Sequence, residues 1–519
     1  MTATHRVVDS DGSTVGFMVN QEFHTDYDIR ENIEYVDNLT LSENEIISEQ
    51  KVLPVISYRQ AVIENEYQRI AEENPFVRDI QKELEAWRQD QSHKVLQLEG
   101  SRQIGKTTEL LKFAYGNYEY VIYVNIVNDK YRFQECINSG VNAMEMEKYC
   151  RRAKLPHYID NKNTILIIDE IQDSSSVYNS IREIDAKLNC DIVVTGSYLG
   201  RILENKSFFL PAGTISYAYM FTMSFAEFCR VFQCDDLLYH IDLYGNDREE
   251  DYAKLDALYQ IYIKIGGYPE VVKKYRQTQN IDACYEIIDK LLNTFQGESR
   301  NYFTDAREVE IFGQVYREAL KEMCNEKKGS GKSTVETLTS LVKSGTSMIV
   351  NKNEVANAII WLRYAGILGM CNLAYDGDMR NILPDRRMYF ADCGVASYVA
   401  GNSLIDQSSL AGIITETFVY NELHRLFKKP YSERKVIEDE VCFSIFGEYE
   451  LDFMIADKNK VIYGIEVKTN SGEPKSLKVF IRKGLVDKGI VAKHSKGGRG
   501  TQFDTIPVYT VGCRFPYDI

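Results

Sequence analysis

The sequence predicts an α/β protein whose first folded region is a parallel sheet with helices on both faces. Three observations support this prediction. Short apolar runs alternate with helical patterns between residues 91 and 215, a glycine-rich turn follows the first run, and a later run ends in two carboxylates. Hydrophobic residues make up 44% of the chain and charged residues 26%, which excludes a disordered or fibrous protein. The length of 519 residues indicates several domains.

The first 90 residues carry most of the excess negative charge. They contain eight Lys and Arg against nineteen Asp and Glu, a net charge of -11, whereas the whole chain has -15. Apolar stretches at 6–8 and 15–19, joined by an Asp- and Gly-rich turn, predict a β-hairpin. Residues 57–89 have helical spacing. We expect residues 1–90 to be an acidic, partly ordered extension, with a protein as its candidate partner.

Residues 91–215 alternate strands with helices, as a doubly covered parallel sheet requires. Strands are expected at 95–98, 120–126, 164–169 and 192–195, with a helix at 107–115. Residues 216–310 have mostly helical spacing, and we interpret them as a helical lid.

The rest of the chain predicts two smaller regions. Residues 311–405 combine helices with a hairpin at 368–373 and 387–390, which is the winged-helix arrangement. Within them, Asn351 and Glu354 have the order of a capping box before a helix at 355–364. Residues 406–519 are expected to form a small α/β domain. Its predicted elements are a helix at 416–427 and strands at 441–446, 450–456 and 461–468.

Residues 100–107 read Gly-Ser-Arg-Gln-Ile-Gly-Lys-Thr and fit the phosphate-binding pattern G-x-x-x-x-G-K-S/T. Gly100 and Gly105 allow the backbone to wrap closely around a phosphate chain, so that its N–H groups converge on the oxygens. Lys106 supplies a positive charge toward the β and γ phosphates at a helix N-terminus. The hydroxyl of Thr107 is a candidate Mg²⁺ ligand. This pattern predicts a P-loop that binds ATP or GTP.

A partner for this loop follows about sixty residues later. The apolar run 165–168 ends in Asp169 and Glu170. An acid at the carboxyl end of a buried parallel strand lies beside a nucleotide site, so Asp169 is expected to hold Mg²⁺ and Glu170 to activate water. Thr108 and Ser197 are further candidate nucleotide contacts, and the hydroxyl of Ser197 is expected where the γ-phosphate would lie. The alternative is a chance glycine turn with an ordinary acid-ended strand, and the order of all three elements argues against it.

A second motif-like stretch, residues 329–334, reads Gly-Ser-Gly-Lys-Ser-Thr. It lacks the first glycine of the pattern, because position 326 is Glu, and no apolar strand precedes it. We interpret it as a polar linker.

The C-terminal region predicts a second group of chemically active residues. Glu466 and Lys468 share one face of a strand, and Asp452 on the preceding strand can reach the same place. Two carboxylates and a lysine can bind Mg²⁺ and activate water for attack on a phosphodiester. Glu416 on the preceding helix is a further candidate ligand. The alternative is a set of surface ion pairs with no chemical role.

The charge of the following stretch favours nucleic acid as a partner. Residues 468–499 contain nine Lys and Arg against two Asp and Glu, a net charge of +7. Glycines are interspersed at 496–500, and we expect a flexible loop there that contacts phosphates, while a merely solvated basic surface is the alternative for the whole run. The acidic total therefore does not exclude nucleic acid.

Cysteine usage and hydropathy indicate where the protein works. The eleven cysteines are scattered without a CxxC pair, which argues against a zinc site and fits a reducing compartment. No secretory signal and no membrane-spanning run are recognisable. We expect a cytoplasmic protein without a membrane partner.

The motifs together resemble those of AAA+-type P-loop ATPases fused to a winged helix and a C-terminal PD-(D/E)xK restriction-endonuclease-like domain. The matching landmarks run in family order from 91 to about 500: GSRQIGKTT (100–108), IIDEIQ (167–172), VTGS (194–197), MSFAEF (223–228), GGYPE (266–270), RMYFADCGV (387–395), ETFVYNEL (416–423), ELDFMI (450–455) and IEVK (465–468). The resemblance implies ATP and Mg²⁺ as cofactors, and it leaves a homo-oligomer open. The family's usual glycine-arginine pair before MSFAEF is absent, so no arginine finger is assigned.

Two functions fit these observations. The first is a Mg²⁺-dependent ATPase whose nucleotide state is coupled to a C-terminal domain that contacts nucleic acid, with nuclease activity left open. The second is an ATP-driven switch or adaptor whose nuclease-like domain docks a protein.

Overall fold

The computed structural model of the chain describes residues 3–25, 53–90, 92, 94–129, 132–197, 207–209, 213–299, 306–327, 334–345, 349–401, 405–427, 441–469 and 472–513. These residues form two compact units. The first contains the described parts of Met1–Glu99 and Gly105–Met220, and the second contains those of Gly100–Ile104, Phe221–Pro430 and Val436–Ile519.

The first unit begins with a small sheet and two helices. Its elements are β1 (Ala3–Val8), β2 (Thr14–Val19), β3 (Glu22–Thr25), β4 (Val55–Ser57), α1 (Glu64–Glu73) and α2 (Ile80–Gln89). The strand order is β3-β2-β1-β4. β1 and β2 are antiparallel, with Val7 opposite Gly16, so the predicted hairpin is confirmed.

The described parts of residues 1–90 pack against the rest of the first unit. Trp87, which is 1% exposed, contacts the ring of Phe113 at a centroid distance of 6.4 Å. The side-chain amide of Gln81 donates a 2.7 Å hydrogen bond to the carboxylate of Glu109. The apolar face of α2 is therefore buried against the helix that follows the P-loop. An acidic, partly ordered extension over the whole of residues 1–90 stays a prediction, because residues 26–52 lie outside the described ones.

The core of the first unit is a five-stranded sheet in the order β6-β7-β8-β5-β9. Its elements are β5 (Val95–Gly100), α3 (Lys106–Asn117), β6 (Tyr120–Asn125), α4 (Arg132–Asn138), α5 (Ala143–Ala153), β7 (Thr164–Asp169), α6 (Ser175–Asn179), α7 (Ile181–Lys187), β8 (Asp191–Thr195) and β9 (Ile215–Met220). The pairs β6–β7, β7–β8 and β8–β5 are parallel. The sheet is flanked by helices, which confirms the predicted P-loop NTPase fold and brings the carboxyl ends of these strands to one edge.

The second unit contains helices from residue 225 onward. They are α8 (Phe225–Val231), α9 (Asp235–His240), α10 (Glu249–Ile265), α11 (Pro269–Thr278), α12 (Ile281–Ser299), α13 (Ala306–Lys327), α14 (Thr334–Gly345), α15 (Lys352–Tyr364), α16 (Cys393–Gly401), α17 (Gln407–Phe427) and α18 (Lys475–Arg482). The predicted capping box is confirmed at α15. Asn351 accepts from the backbone N–H of Glu354, whose carboxylate accepts from the N–H of Asn351.

A seven-stranded mixed sheet forms the other part of the second unit. Its strands are β10 (Leu368–Tyr375), β11 (Ile382–Phe390), β12 (Cys442–Phe446), β13 (Tyr449–Ala456), β14 (Ile462–Lys468), β15 (Lys488–Lys493) and β16 (Phe503–Pro507), in the order β11-β10-β12-β13-β14-β15-β16. The hairpin expected to be a wing is β10–β11, and β10 pairs in parallel with β12. These two strands thus continue the C-terminal sheet, and a separate winged-helix domain stays a prediction.

A buried carboxylate ties distant parts of the second unit together. Asp392, which is 3% exposed, accepts hydrogen bonds from the backbone N–H groups of Gly267 at 2.8 Å, Gly394 at 2.9 Å and Val395 at 3.2 Å. Burial raises the pKa of Asp392, and the three N–H donors oppose that rise. The backbone of Gly267 in turn accepts from the N–H of Met223 at 2.7 Å. Three landmarks of the resemblance, at 223–228, 266–270 and 387–395, therefore meet at one structural junction.

Replacing Asp392 with Ala should destabilise the second unit by on the order of 3 kcal/mol, because it leaves three buried N–H groups without an acceptor. Chemical denaturation followed by circular dichroism would measure the loss. Asp378→Ala is the matched control, since Asp378 caps the exposed loop between β10 and β11 through Arg380. Equal midpoints for both variants and the wild type would contradict this role.

Candidate functional site

The P-loop lies between β5 and α3, and its backbone is wound as the motif predicts. Gly100 has a φ of 144° and Gly105 a φ of 96°, both in the region that favours glycine. Gln103, which is not glycine, also has a positive φ of 60°. Lys106 begins α3 and is 8% exposed. The loop is therefore held in a tight turn at a helix N-terminus, which is the arrangement that favours phosphate.

Thr107 and Asp169 come together at the carboxyl edge of the sheet. The hydroxyl of Thr107 donates a 2.9 Å hydrogen bond to Oδ2 of Asp169. The other carboxylate oxygen, Oδ1, accepts from the backbone N–H of Glu170 at 2.8 Å. A hydroxyl and a carboxylate are the hard oxygen ligands that Mg²⁺ takes in nucleotide sites. These two residues fit a shared Mg²⁺, as the sequence predicts.

Tyr123 is a member of this site that sequence reasoning missed. Its hydroxyl donates a 2.7 Å hydrogen bond to the same Oδ2 of Asp169. Burial raises the pKa of Tyr123, and the nearby carboxylate of Asp169 raises it further, so the phenol stays protonated and remains a donor. The proximity of Tyr123 to Asp169 can be inferred only from the order of the strands. β6 lies beside β7, with Asn125 opposite Asp169. A tyrosine two residues earlier on β6 then reaches the carboxylate.

The remaining nucleotide candidates lie around the same edge. Thr195 at the end of β8 donates a 2.9 Å hydrogen bond to the carbonyl of Leu98, so it links β8 to the P-loop strand. Ser197, two residues later, is 3% exposed. Thr108 lies in the first turn of α3 and is half-buried. The contacts of Thr108 and Ser197 with a nucleotide stay predictions.

The second candidate site lies on the C-terminal sheet. The ammonium of Lys468 pairs with Oε1 of Glu466 at 2.6 Å, which confirms that they share a face of β14. Oε2 of Glu466 accepts from the backbone N–H of Leu477 at the start of α18 at 2.9 Å. Asp452 on β13 accepts from the N–H of Val467 at 2.8 Å. These contacts hold both carboxylates at the place where the sequence predicts them.

The pKa of Glu466 is raised above that of an ordinary glutamate. Burial raises its pKa, while the ion pair with Lys468 and the N–H of Leu477 lower it in part. The carboxylate of Asp452 also contributes to the rise. The ionised form of Glu466, which metal binding requires, is therefore present only above a pH higher than for an ordinary glutamate.

Glu416 was expected to add a third carboxylate. It lies on α17 and is 3% exposed. Three or more His, Cys, Asp or Glu side chains do not come together as a metal-binding group anywhere in the described part of the chain. Asp452 and Glu466 thus offer two of the oxygen ligands that a Mg²⁺ ion needs, and the role of Glu416 stays a prediction.

The basic stretch after residue 468 is structured where it is described. It contains α18 and β15, and β16 follows it; the sequence did not predict these three elements. Lys496 pairs with the carboxylate of Glu249, and the guanidinium of Arg499 lies over the ring of Tyr244 at 4.4 Å. Lys496 is half-buried and Arg499 is exposed, so the contact of the loop at 496–500 with phosphates stays a prediction.

Lys493 is the basic residue that the sheet brings to the second site. β14 and β15 are parallel, and Lys493 lies directly beside Lys468 in their register. Residues paired in this way project on the same face of a sheet. Two lysines and two carboxylates thus share one edge of the C-terminal sheet.

Comparison with known proteins agrees with the first site. A family model for an AAA domain matches residues 92–229, about a quarter of the chain. None of the curated proteins matches the sequence. The segment that contains the P-loop, Asp169 and Glu170 is thus similar to AAA-type P-loop ATPase domains, which is consistent with ATP binding.

Several solved structures are similar to parts of the chain. A Walker-type ATPase of Pyrococcus abyssi is 14% identical, with 63% of this chain and 96% of that chain covered and a TM-score of 0.38. The RuvB Holliday junction branch migration motor of Thermotoga maritima is 13% identical, with 60% and 89% covered and a TM-score of 0.24. The ORC1 protein of Aeropyrum pernix, solved in complex with DNA, is 13% identical, with 68% and 92% covered and a TM-score of 0.24.

In the described part of the chain, none of the helices is both long enough and apolar enough to cross a lipid bilayer.

Proposed function

We propose that this protein is a Mg²⁺-dependent ATPase with a C-terminal sheet that contacts nucleic acid and cleaves its phosphodiester bonds. The observation that carries the first half is the 2.9 Å contact between Thr107 and Asp169 at the edge where the P-loop ends. Around it, Lys106 would bind the β and γ phosphates and Glu170 would accept a proton from water. Bound Mg²⁺ would neutralise charge on the phosphate oxygens.

The second half of the proposal rests on the group formed by Asp452, Glu466, Lys468 and Lys493. The carboxylates would hold a divalent cation that polarises the phosphodiester. Lys468 would stabilise the negative charge that develops on the phosphate, and Lys493 would contact a neighbouring phosphate. Nucleic acid is the expected partner because two ammonium groups lie beside two carboxylates at one sheet edge.

One observation favours a second candidate, a protein-docking domain without catalysis. Lys468 already neutralises Glu466, and the described residues contain no metal-binding group of three or more ligands. An ATP-driven adaptor would need no more than this. Assays of cleavage and of nucleic-acid binding separate the two functions.

Lys106→Ala should lower the rate of ATP hydrolysis by at least roughly a hundredfold, because the phosphates lose their principal cation. Phosphate release measured with purified full-length protein checks this. Lys332→Ala is the control, since Lys332 belongs to the motif-like stretch 329–334, whose residues 329–333 are outside the described ones, and its loss should leave the rate unchanged. Hydrolysis that survives in Lys106→Ala would exclude this P-loop as the active site.

Asp452→Asn and Lys468→Gln should each reduce Mg²⁺- or Mn²⁺-dependent cleavage of DNA or RNA by roughly a hundredfold or more. Gel analysis of single-stranded and double-stranded substrates measures the effect. Because the pKa of Glu466 is raised, cleavage should fall with decreasing pH at a midpoint above that of an ordinary glutamate. Wild-type protein without cleavage under all these conditions would favour the docking function.

Lys493→Gln should weaken nucleic-acid binding and lower the slope of log affinity against log salt by about 1, because one phosphate contact is lost. Fluorescence anisotropy with a labelled oligonucleotide and no divalent cation separates binding from cleavage. Lys488→Gln is the matched control, since Lys488 is an exposed lysine at the other end of the same strand. A wild-type affinity independent of salt would argue against a nucleic-acid surface here.

A further inference from the structure

We propose that Gln172 is a positioning residue that holds Glu170 in place and links it to the turn at Gly196. This inference rests on the proposed ATPase function. It concerns three residues of the first unit that come from two different strand ends, β7 and β8.

The side-chain amide of Gln172 contacts the carboxylate of Glu170 directly. Nε2 of Gln172 donates a hydrogen bond to Oε2 of Glu170 and a second one to Oδ2 of Asp173 at 3.2 Å. Glu170 itself has a positive φ of 52°, which is uncommon for a residue other than glycine and is found at functional sites. Both the backbone and the carboxylate of Glu170 are therefore fixed by local contacts.

The other end of the same amide lies against Gly196. A Cβ atom at position 196 would clash with Oε1 of Gln172 and would lie 3.2 Å from its Cδ. Only glycine leaves room for the amide at this place. Within the described residues, Oε1 of Gln172 is buried and has no hydrogen-bond donor. Its position is therefore set by packing against the Gly196 turn, which follows Thr195 of β8.

This arrangement gives Gln172 a defined part in hydrolysis. The oxygen of water bonds to the γ phosphorus while the bond from that phosphorus to the β–γ bridging oxygen breaks. The bond's electron pair leaves with ADP, and a proton of the water passes to Glu170. The carboxylate must point at the water for this transfer, and an unrestrained glutamate samples many rotamers. Gln172 restricts Glu170 to one of them without touching the nucleotide.

The position of Gly196 adds a route by which bound nucleotide reaches Glu170. Ser197 follows it directly, at the place where the sequence predicts the γ-phosphate. A shift of this turn on phosphate binding would press on the amide of Gln172, which holds Glu170. The turn and the carboxylate are thus coupled through one side chain.

The test compares Gln172→Ala, Gly196→Ala and the double variant with wild type in full-length protein. Each single variant should lower kcat for ATP hydrolysis roughly tenfold or more while the KM for ATP changes less than twofold. The reason is that the carboxylate of Glu170 is no longer oriented toward the water, whereas the residues that bind ATP are unchanged. The double variant should be no slower than either single variant, since both remove the same contact. Gln134→Ala, which alters contacts with Asn138, Ser174 and Ser176, should keep the wild-type kcat.

A second variant keeps the proposal testable should Gly196→Ala misfold. Gln172→Glu preserves the shape of the side chain but removes the N–H donor and places a second carboxylate beside Glu170, so kcat should fall roughly tenfold or more while the KM for ATP changes less than twofold. Unchanged kcat in Gln172→Ala or in Gln172→Glu would overturn the role of Gln172. Neither result affects the proposed ATPase function, which fails only if Lys106→Ala retains hydrolysis or wild type has none.

Discussion

The first unit depends on the placement of one carboxylate, that of Asp169. Its two oxygens accept from the hydroxyls of Thr107 and Tyr123 and from the N–H of Glu170. Glu170 follows Asp169 in the chain, whereas Thr107 and Tyr123 come from distant segments, and Tyr123 reaches the carboxylate because β6 lies beside β7 in the parallel sheet. The order of the strands thus decides the chemistry of this edge.

The same physical solution recurs at other buried carboxylates. Removing a carboxylate from water is costly unless hydrogen-bond donors replace the lost hydration, and backbone N–H groups can be those donors. The buried carboxylate of Asp392 accepts from three such groups, and that of Glu466 accepts from the N–H of Leu477 as well as from Lys468. The effect on function differs with the partner. Asp392 is bonded to buried backbone N–H groups and links segments of the second unit. Glu466 instead pairs with Lys468, which is partly exposed at the edge of the C-terminal sheet.

The parts of the molecule that local sequence determines were predictable. The P-loop, the strand that ends in Asp169, and the capping box of Asn351 and Glu354 each depend on residues within ten positions of one another. In those cases the spacing of residues along the chain is sufficient to predict the structure, because it determines where a helix begins or which side chains are buried. The predicted neighbours Glu466 and Lys468 belong to the same class, since alternation along one strand fixes their common face.

What escaped prediction depends on contacts between distant segments. Tyr123 and Lys493 become site residues only through strand pairing, which a single sequence does not reveal. The packing of Trp87 on Phe113 likewise could not be predicted. The net charge of residues 1–90 reflects the exposed face of α2, and it carries no information on what the buried face contacts. The hairpin at β10–β11 was predicted, but its pairing with β12 depends on residues seventy positions away.

Net charge is an instructive case of this limit. The net charge of +7 over residues 468–499 suggests contact with phosphates if every basic residue is assumed to be equally available to a ligand. In the folded chain Lys496 pairs with Glu249 and Arg499 lies over the ring of Tyr244, so both cations already contact other side chains of the second unit. Lys468, which pairs with Glu466, lies side by side with Lys493 at the carboxyl ends of parallel strands. A nucleic acid would respond to the position of these two ammonium groups more than to the total, because attraction at the scale of one phosphate falls off within a Debye length.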